Sequence, residues 1–262
     1  MKFSVLKSRF VVSCFHGMFF IFCSLLFALC VVSSSYAAHP LITDDTGTQG
    51  KGKFQLEVNG EYSNNNGNTI TEISATFSAG IRDNIDLVVR LPYQFLRNKG
   101  EEGNRTSEDG ISDMAIELKW RFYEKEGLSF ALKPGIIIPT GDEDKGLGDG
   151  KNSYRLFFIT TKEVEPFMFH LNLGYIKNRK ELRDIWHYSL AAEYAASKPL
   201  TLVANIGGET NPDRESNVHP LFLLGGLIYK INENFSIDFG LKTGLNKEEA
   251  DYTLLAGITL RF

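Results

Sequence analysis

The C-terminal run is the feature that most limits what this 262-residue chain can fold into. From Asp251 to Phe262 the large apolar side chains occupy alternate positions, and the last residue is an aromatic one. A period of two places these side chains on one face of a β-strand. The opposite face carries Thr253, Thr259 and Arg261 among smaller or apolar residues. This pattern is typical of the closing strand of a transmembrane β-barrel, and it predicts that Phe262 is the signal read by outer-membrane assembly machinery.

Eleven further runs of alternating residues precede the last one, beginning at Lys53. Short connections such as 82–84 alternate with mostly longer and more polar ones such as 97–110. Short periplasmic turns and longer outer loops are the asymmetry of bacterial outer-membrane barrels. The sequence therefore predicts an all-β fold, a single transmembrane antiparallel β-barrel of about 12 strands over residues 53–262.

The N-terminus predicts export. Three basic residues precede an apolar core of about 15 residues, and small residues follow it up to Ala38. We interpret residues 1–37 as a signal peptide, with cleavage after Ala37 favoured and cleavage after Ala38 the alternative. A retained anchor helix is the competing interpretation. Cleavage and the barrel pattern together predict location in the bacterial outer membrane.

Composition excludes several classes of function. All three cysteines (Cys14, Cys23 and Cys30) lie in the predicted signal peptide, so the remaining chain has neither disulfides nor thiolate nucleophiles. Removing residues 1–37 leaves 25 Lys and Arg against 32 Asp and Glu. This acidic balance argues against a nucleic-acid partner, which normally requires a basic patch. The sequence indicates no cofactor.

A soluble β-sandwich or lipocalin-like barrel also alternates and also uses short turns. Alternation alone does not decide between these folds, because it does not say whether the apolar face meets a core or lipid. The predicted signal peptide, the strand count, the turn asymmetry and the terminal Phe262 favour the membrane barrel and its lipid partner.

Several short stretches resemble a known bacterial family. They include His39–Gly50, Leu91–Tyr93, Gly110–Asp113 and Pro134–Gly141. With these motifs the chain resembles the "MetA-pathway of phenol degradation" family of outer-membrane barrel transporters, over nearly its whole length after residue 37. The resemblance implies a porin-like barrel that moves small organic, often aromatic, compounds across the outer membrane. It assigns no catalytic or binding residue.

Charged side chains opposite the apolar stripe are the candidate lumen-lining residues. They could create a transverse field that orients a polar solute, or they could pair across strands and fill the barrel. Both interpretations remain open, and mixed signs predict weak ion selectivity. The candidates are Glu57, Glu61, Asp86, Arg90, Glu117, Lys119, Arg121, Lys133, Arg155, His170, Glu193, Asp238, Lys242 and Arg261.

The expected lumen is narrow, because about twelve strands lie between closed eight-stranded barrels and open porins. Small inward residues are predicted to leave it room for one small organic molecule. The function expected is a porin-like channel or transporter for small organic solutes. The alternative is a non-conducting barrel that binds a partner through its outer loops. The small residues are Ser74, Ser78, Ser129, Gly135, Gly174, Gly240 and Gly257.

Three smaller questions concern the rest of the chain. Residues 38–52 precede the first strand and could lie in the lumen or in the periplasm. His187 and Ser189 stand two apart on one strand without a nucleophile motif, so we expect no enzyme. The acidic run 141–144 could hold Ca²⁺, but it lacks EF-hand spacing and a solvated loop is favoured. We therefore expect no metal site.

Overall fold

The computed structural model describes residues 39–100, 104–177 and 183–262. The predicted signal peptide lies outside these described residues. Within them, no helix is long and apolar enough to cross a membrane.

The described chain forms one closed antiparallel β-sheet. The strands are β1 Phe54–Asn65, β2 Asn68–Arg82, β3 Ile85–Lys99, β4 Arg105–Ile111, β5 Met114–Lys125, β6 Leu128–Ile138, β7 Ser153–Val164, β8 Phe167–Lys177, β9 Ile185–Ala195, β10 Leu200–Glu209, β11 Leu221–Lys230, β12 Phe235–Gly244 and β13 Tyr252–Arg261. Apart from β4 and β5, which both pair with β3, each strand pairs with its neighbour in sequence, and the last strand pairs with the first, from Gln55↔Arg261 to Asn64↔Tyr252. Closure leaves no edge of the barrel itself unpaired, which a membrane requires.

The thirteen strand segments occupy twelve positions around the barrel. β4 and β5 both pair with β3, β4 with its outer end and β5 with its inner end, so together they form one interrupted strand. The interruption falls at Ser112 and Asp113, where the N–H of Ser112 donates to the carbonyl of Pro92 (3.0 Å). The predicted strand number is therefore confirmed for the barrel. The prediction that 97–110 is a loop is wrong, because β3 and β4 extend through much of it as a hairpin beyond the barrel.

Two hairpins turn on residues with left-handed backbone conformations. β1 and β2 are joined by Asn66 (φ 52°) and Gly67 (φ 88°). β5 and β6 are joined by Glu126 (φ 52°) and Gly127 (φ 69°). Two successive positive φ angles match the right-handed twist of the flanking strands. The connection between β1 and β2 is therefore a tight turn, although it lies on the side of the mostly longer loops.

The outer face of the barrel is apolar and the inner face is polar, as β8 illustrates. Phe169, Leu171 and Leu173 are 40–51% exposed, whereas the intervening His170 and Asn172 are almost completely buried. Exposed apolar side chains around the whole wall form a surface suited to lipid. Aromatic pairs occur near the strand ends, such as Tyr175 with Trp186 (ring centroids 4.9 Å apart) and Phe54 with Phe262 (5.8 Å).

The inside of the barrel contains residues 39–52, here called the N-terminal segment. Leu41 packs against a small apolar cluster on the inner wall. Several of the segment's polar residues are nearly completely buried, among them Thr43, Asp45, Thr46 and Thr48. The sequence left open whether this segment lies in the lumen or in the periplasm, and in the structure its contacts lie in the lumen. The cluster comprises Val203, Phe222, Leu224, Ile228 and Leu255.

Candidate functional site

Asn205 and Asp238 hold the first residues of the N-terminal segment. The backbone N–H groups of Ile42 and Thr43 both donate to Asn205 Oδ1, at 2.9 and 3.0 Å. Asn205 Nδ2 donates in return to Thr43 Oγ1 (2.7 Å). His39 Nδ1 lies 2.5 Å from Asp238 Oδ1. Because Asn205 satisfies backbone groups that have no strand partner, the extended segment can be buried without a large cost.

Ion pairs hold the middle of the segment. Asp44 accepts from Lys119 Nζ (2.9 Å) and Lys133 Nζ (2.8 Å), and Asp45 lies 3.2 Å from Lys119 Nζ. The side-chain oxygen of Asn172 accepts from the N–H of Asp44 (2.7 Å), and its NH2 group donates to the carbonyl of Asp44 (2.9 Å). Burial opposes ionisation of Asp44, but the two lysines outweigh it and hold the pKa of this carboxyl well below its usual range.

A chain of hydrogen bonds continues from Thr46 into the barrel wall. Thr46 Oγ1 lies 2.5 Å from Ser129 Oγ, and its N–H donates to Thr161 Oγ1 (3.1 Å). Thr161 also bonds His170 Nδ1 (2.9 Å), whose Nε2 lies 3.1 Å from Glu193. The candidates His170 and Glu193 are thus buried supports of the segment rather than groups open to solvent.

The last part of the segment packs against the start of the barrel. The N–H of Gln49 donates to both carboxylate oxygens of Asp86 (2.9 and 3.2 Å). The carbonyl of Gly50 occupies the space in which a Cβ on Gly80 would lie. Only glycine therefore fits at position 80.

The inward glycines do not leave free space, contrary to the sequence prediction. A Cβ on Gly240 would lie 2.7 Å from Pro40, and one on Gly257 would lie 2.5 Å from Asn59 Oδ1 and 2.8 Å from His39 Nδ1. The N-terminal segment takes the space that these residues spare. The space at Gly135 is filled by Glu117 and Arg155, and that at Gly174 by the ring of Phe157. Among the predicted small residues, Ser74 and Ser78 do line a cavity.

That cavity has a volume of about 390 Å³ and lies between the N-terminal segment and the inner wall. Its wall is provided mainly by β1–β3 and β5–β7, with Leu255 from β13. Eight of the fourteen candidate residues line it. They are Glu57, Glu61, Asp86, Arg90, Glu117, Lys119, Lys133 and Arg155.

The cationic side chains at the cavity all have carboxylate partners. Arg90 pairs with Glu72, and Arg155 Nε lies 2.7 Å from Glu117. Lys133 also reaches Glu117 (3.1 Å) in addition to Asp44. Charge pairing, one of the two roles left open from the sequence, is therefore the observed arrangement on this part of the wall.

The remaining candidates do not line the cavity themselves. Arg121 pairs with Glu124 (3.3 Å) and Lys242 with Glu249 (2.9 Å). Arg261 Nε donates to Gln55 (3.0 Å). The acidic loop forms hydrogen bonds within itself, such as Asp144 N–H to Asp142 (3.1 Å). Among the described residues, no group of three or more His, Cys, Asp or Glu side chains could hold a metal ion.

Of the residues that anchor the segment, the sequence predicted inward lysines and acids of the wall but not Asp44, Asp45, Asn205 and Thr161. Asp44 and Asp45 could have been found, because two inward lysines, Lys119 and Lys133, required carboxylate partners and the segment offered two. Asn205 and Thr161 carry no charge and fall within ordinary alternating runs, so no sequence signal marks them.

The family model described as "Putative MetA-pathway of phenol degradation" matches residues 38–262, all but the predicted signal peptide. The chain belongs to this family. The resemblance predicted from the motifs is therefore confirmed. No curated protein matches the chain by sequence.

Solved structures similar to this one include outer-membrane channels and porins. An outer-membrane channel from Pseudomonas putida F1 has a TM-score of 0.66 at 13% identity, covering 83% of this chain and 98% of that one. The NanC porin has a TM-score of 0.58 at 9% identity, covering 78% and 98%. The KdgM porin also has 0.58 at 9%, covering 79% and 99%. These likenesses show the barrel fold, and a twelve-position barrel with an apolar exterior belongs to the bacterial outer membrane.

Proposed function

We propose that this protein is a porin-like channel for small organic solutes. The observation that carries the proposal is the cavity of about 390 Å³ inside the barrel, lined by charged, polar and a few apolar side chains. Cavities of this size suit one small organic molecule. The names of the structural relatives, which are channels and porins, and the family description support the same function.

Planar-bilayer recording of the purified barrel tests this function. We expect a small conductance from the native protein, because the N-terminal segment leaves only part of the lumen open. Deletion of residues 39–52 should give a larger conductance. Heat-modifiable migration on gels would verify that both forms are folded. A folded and inserted native form that is electrically silent would contradict the channel function.

A non-conducting barrel with a structural or partner-binding role is the second candidate. The specific observation in its favour is the close attachment of the N-terminal segment, which reaches Asp238, Asn205, Lys119 and Asp86 on four different strands. The same recordings separate the two functions, since only the channel predicts current through the native form.

We propose further that the protein has no catalytic cycle. Ser189 Oγ lies 3.0 Å from His187 Nε2, and His187 Nδ1 lies 3.7 Å from Glu209, in the order of a catalytic triad. Ser189 is only 3% exposed, however, and its strand pairs on both sides, at Asn172 and Gly207. A substrate carbonyl would find neither access nor free N–H donors for an oxyanion.

Hydrolysis assays test this second proposal. We expect no release of fatty acid from phospholipid and no cleavage of small phenyl esters above the level of His187→Ala. Release that Ser189→Ala abolishes would show that the pair is catalytic.

We also propose that Phe262 is recognised by the outer-membrane assembly machinery. Its ring is 64% exposed at the end of the closing strand and stacks on Phe54. Phe262→Ala should lower the amount of heat-modifiable barrel in cell envelopes, while the same purified variant refolds in detergent. Failure in detergent as well would indicate a purely structural role.

A further inference from the structure

The acidic residues of β1 differ from all other charges at the cavity. Glu57 and Glu61 line it, yet neither forms an ion pair or a side-chain hydrogen bond within the part of the chain that the structure describes. The cations Arg90, Lys119, Lys133 and Arg155 are paired. The unmatched charge at the cavity is therefore negative.

Two further groups lining the cavity are acceptors without donors. Asn59 stands between the two glutamates on the inner face of β1, and its Oδ1 is buried without a hydrogen-bond partner. The His39 side chain is 7% exposed, and its Nε2 also lacks a partner. Because the Asp238 carboxylate can only accept, the proton of a neutral His39 ring belongs on Nδ1, which leaves Nε2 as an acceptor. A buried acceptor without a donor is costly, so these groups favour a ligand that donates.

Apolar side chains complete the lining. Val88, Phe157 and Leu255 face the same cavity as the glutamates. A solute that combines a hydrogen-bond donor, a positive charge and an apolar part would match all three kinds of surface, and the face of Phe157 would attract a cation.

From these observations we propose that the cavity is selective for small organic cations with a primary ammonium group, recognised by Glu57, Asn59 and Glu61. This selectivity rests on the proposed channel function and names the solute class of the same site. It differs from the weak selectivity that mixed charges predicted from sequence, because the positive charges are neutralised by partners and the two glutamates are not.

Reversal potentials in a concentration gradient of benzylammonium benzoate test the proposal, because the two ions have similar size and opposite charge. Native protein should pass benzylammonium in preference to benzoate. Glu57→Gln with Glu61→Gln should lower the permeability ratio by about ten-fold. Glu233→Gln, which removes an exposed charge from the β11–β12 turn, should leave the ratio unchanged.

A charge-conserving double variant, Glu57→Asp with Glu61→Asp, should retain the preference for the cation and so separates loss of charge from altered folding. Conductance without a cation preference, or a preference that survives the double Gln change in a heat-modifiable barrel, would overturn the selectivity while leaving the channel function intact. A folded native barrel without conductance would overturn both.

Discussion

The lumen of this barrel has two sides that follow the same alternating sequence pattern but hold different contents. On the occupied side, β5–β12 bind the N-terminal segment through Lys119, Lys133, Thr161, Asn205 and Asp238. On the open side, the inner faces of β1 and β2 meet the cavity. The described side chains of these two strands form no hydrogen bond with the segment.

Pairing, more than composition, sets the charge that the lumen presents to a solute. The occupied side contains the lysines, but their charge is neutralised by Asp44 and Asp45. The open side contains fewer charges, and two of them have no partner. A lumen with nearly equal numbers of positive and negative side chains can therefore present a net negative charge along the path of a solute.

Removing the central ion pair should have the largest effect. Asp44→Asn leaves Lys119 and Lys133 with one carboxylate each. We expect docking of the segment to weaken by about 2 kcal/mol. This is the lower end for a broken buried ion pair, because Asp44 is partly exposed and Asn keeps its shape. The substitution Thr48→Cys supplies a reporter of docking. Position 48 is only 3% exposed when the segment is docked, and the chain after residue 37 has no other cysteine. Maleimide labelling should accelerate about thirty-fold.

The control for this variant is Glu233→Gln, which carries the same loss of charge outside the lumen. Conductance should rise together with labelling and cation preference should fall, because the two lysines lose part of their neutralisation. Unchanged labelling in the Asp44→Asn protein would mean that hydrogen bonds alone hold the segment.

Filling the pocket of Pro40 should have a smaller effect on the same side. In Gly240→Ala the new methyl group would lie 2.7 Å from Pro40, with only side chains as close neighbours. We expect docking to weaken by about 1 kcal/mol, as for modest overpacking. Gly225→Ala is the matched control on the adjacent strand, because nothing lies within 4 Å of its Cβ.

Labelling of the Thr48→Cys reporter measures this effect as well. It should accelerate with Gly240→Ala and stay constant with Gly225→Ala. Equal rates in the two variants would show that Pro40 contributes nothing to docking.

Adding bulk to the open side should leave docking unchanged and affect only the passage. Thr76 lines the cavity from β2. Thr76→Phe should lower single-channel conductance by about half, since an aromatic ring adds a large apolar surface to a small cavity. The free energy of unfolding should change by less than about 1 kcal/mol, because Phe is a good strand former.

Ala75→Phe on the lipid-facing side of the same strand is the control and should leave conductance unchanged. A loss of current in both variants would place the cause in distortion of β2 instead of in the cavity.

The family motifs receive a structural explanation from the outer end of the barrel. Asp113, in the stretch Gly110–Asp113, accepts hydrogen bonds from the N–H groups of Gly141 (3.0 Å) and Asp149 (2.7 Å). The interruption between β4 and β5 thus fixes the following outer loop. The motif residues are visible in the sequence, but their contacts join residues about thirty positions apart. These contacts depend on the register of β5 against β6.

Sequence by itself determined the barrel, its strand positions and the face that each side chain presents. These properties follow from a local pattern, since successive side chains of a strand point to opposite faces regardless of what they meet. The hairpin through Asn66 and Gly67 is local in the same sense. Strand ends were less well predicted because polar residues outside the membrane lose the alternation while pairing continues.

Only the tertiary structure decided what the lumen contains. Asp44 and Lys119 are 75 positions apart, and His39 and Asp238 are 199 apart. Which charges meet depends on closure of the whole barrel and on the path of a segment that has no periodicity of its own. Alternation shows that a side chain points inward, but its partner, and hence whether its charge remains for a solute, is set by three-dimensional packing.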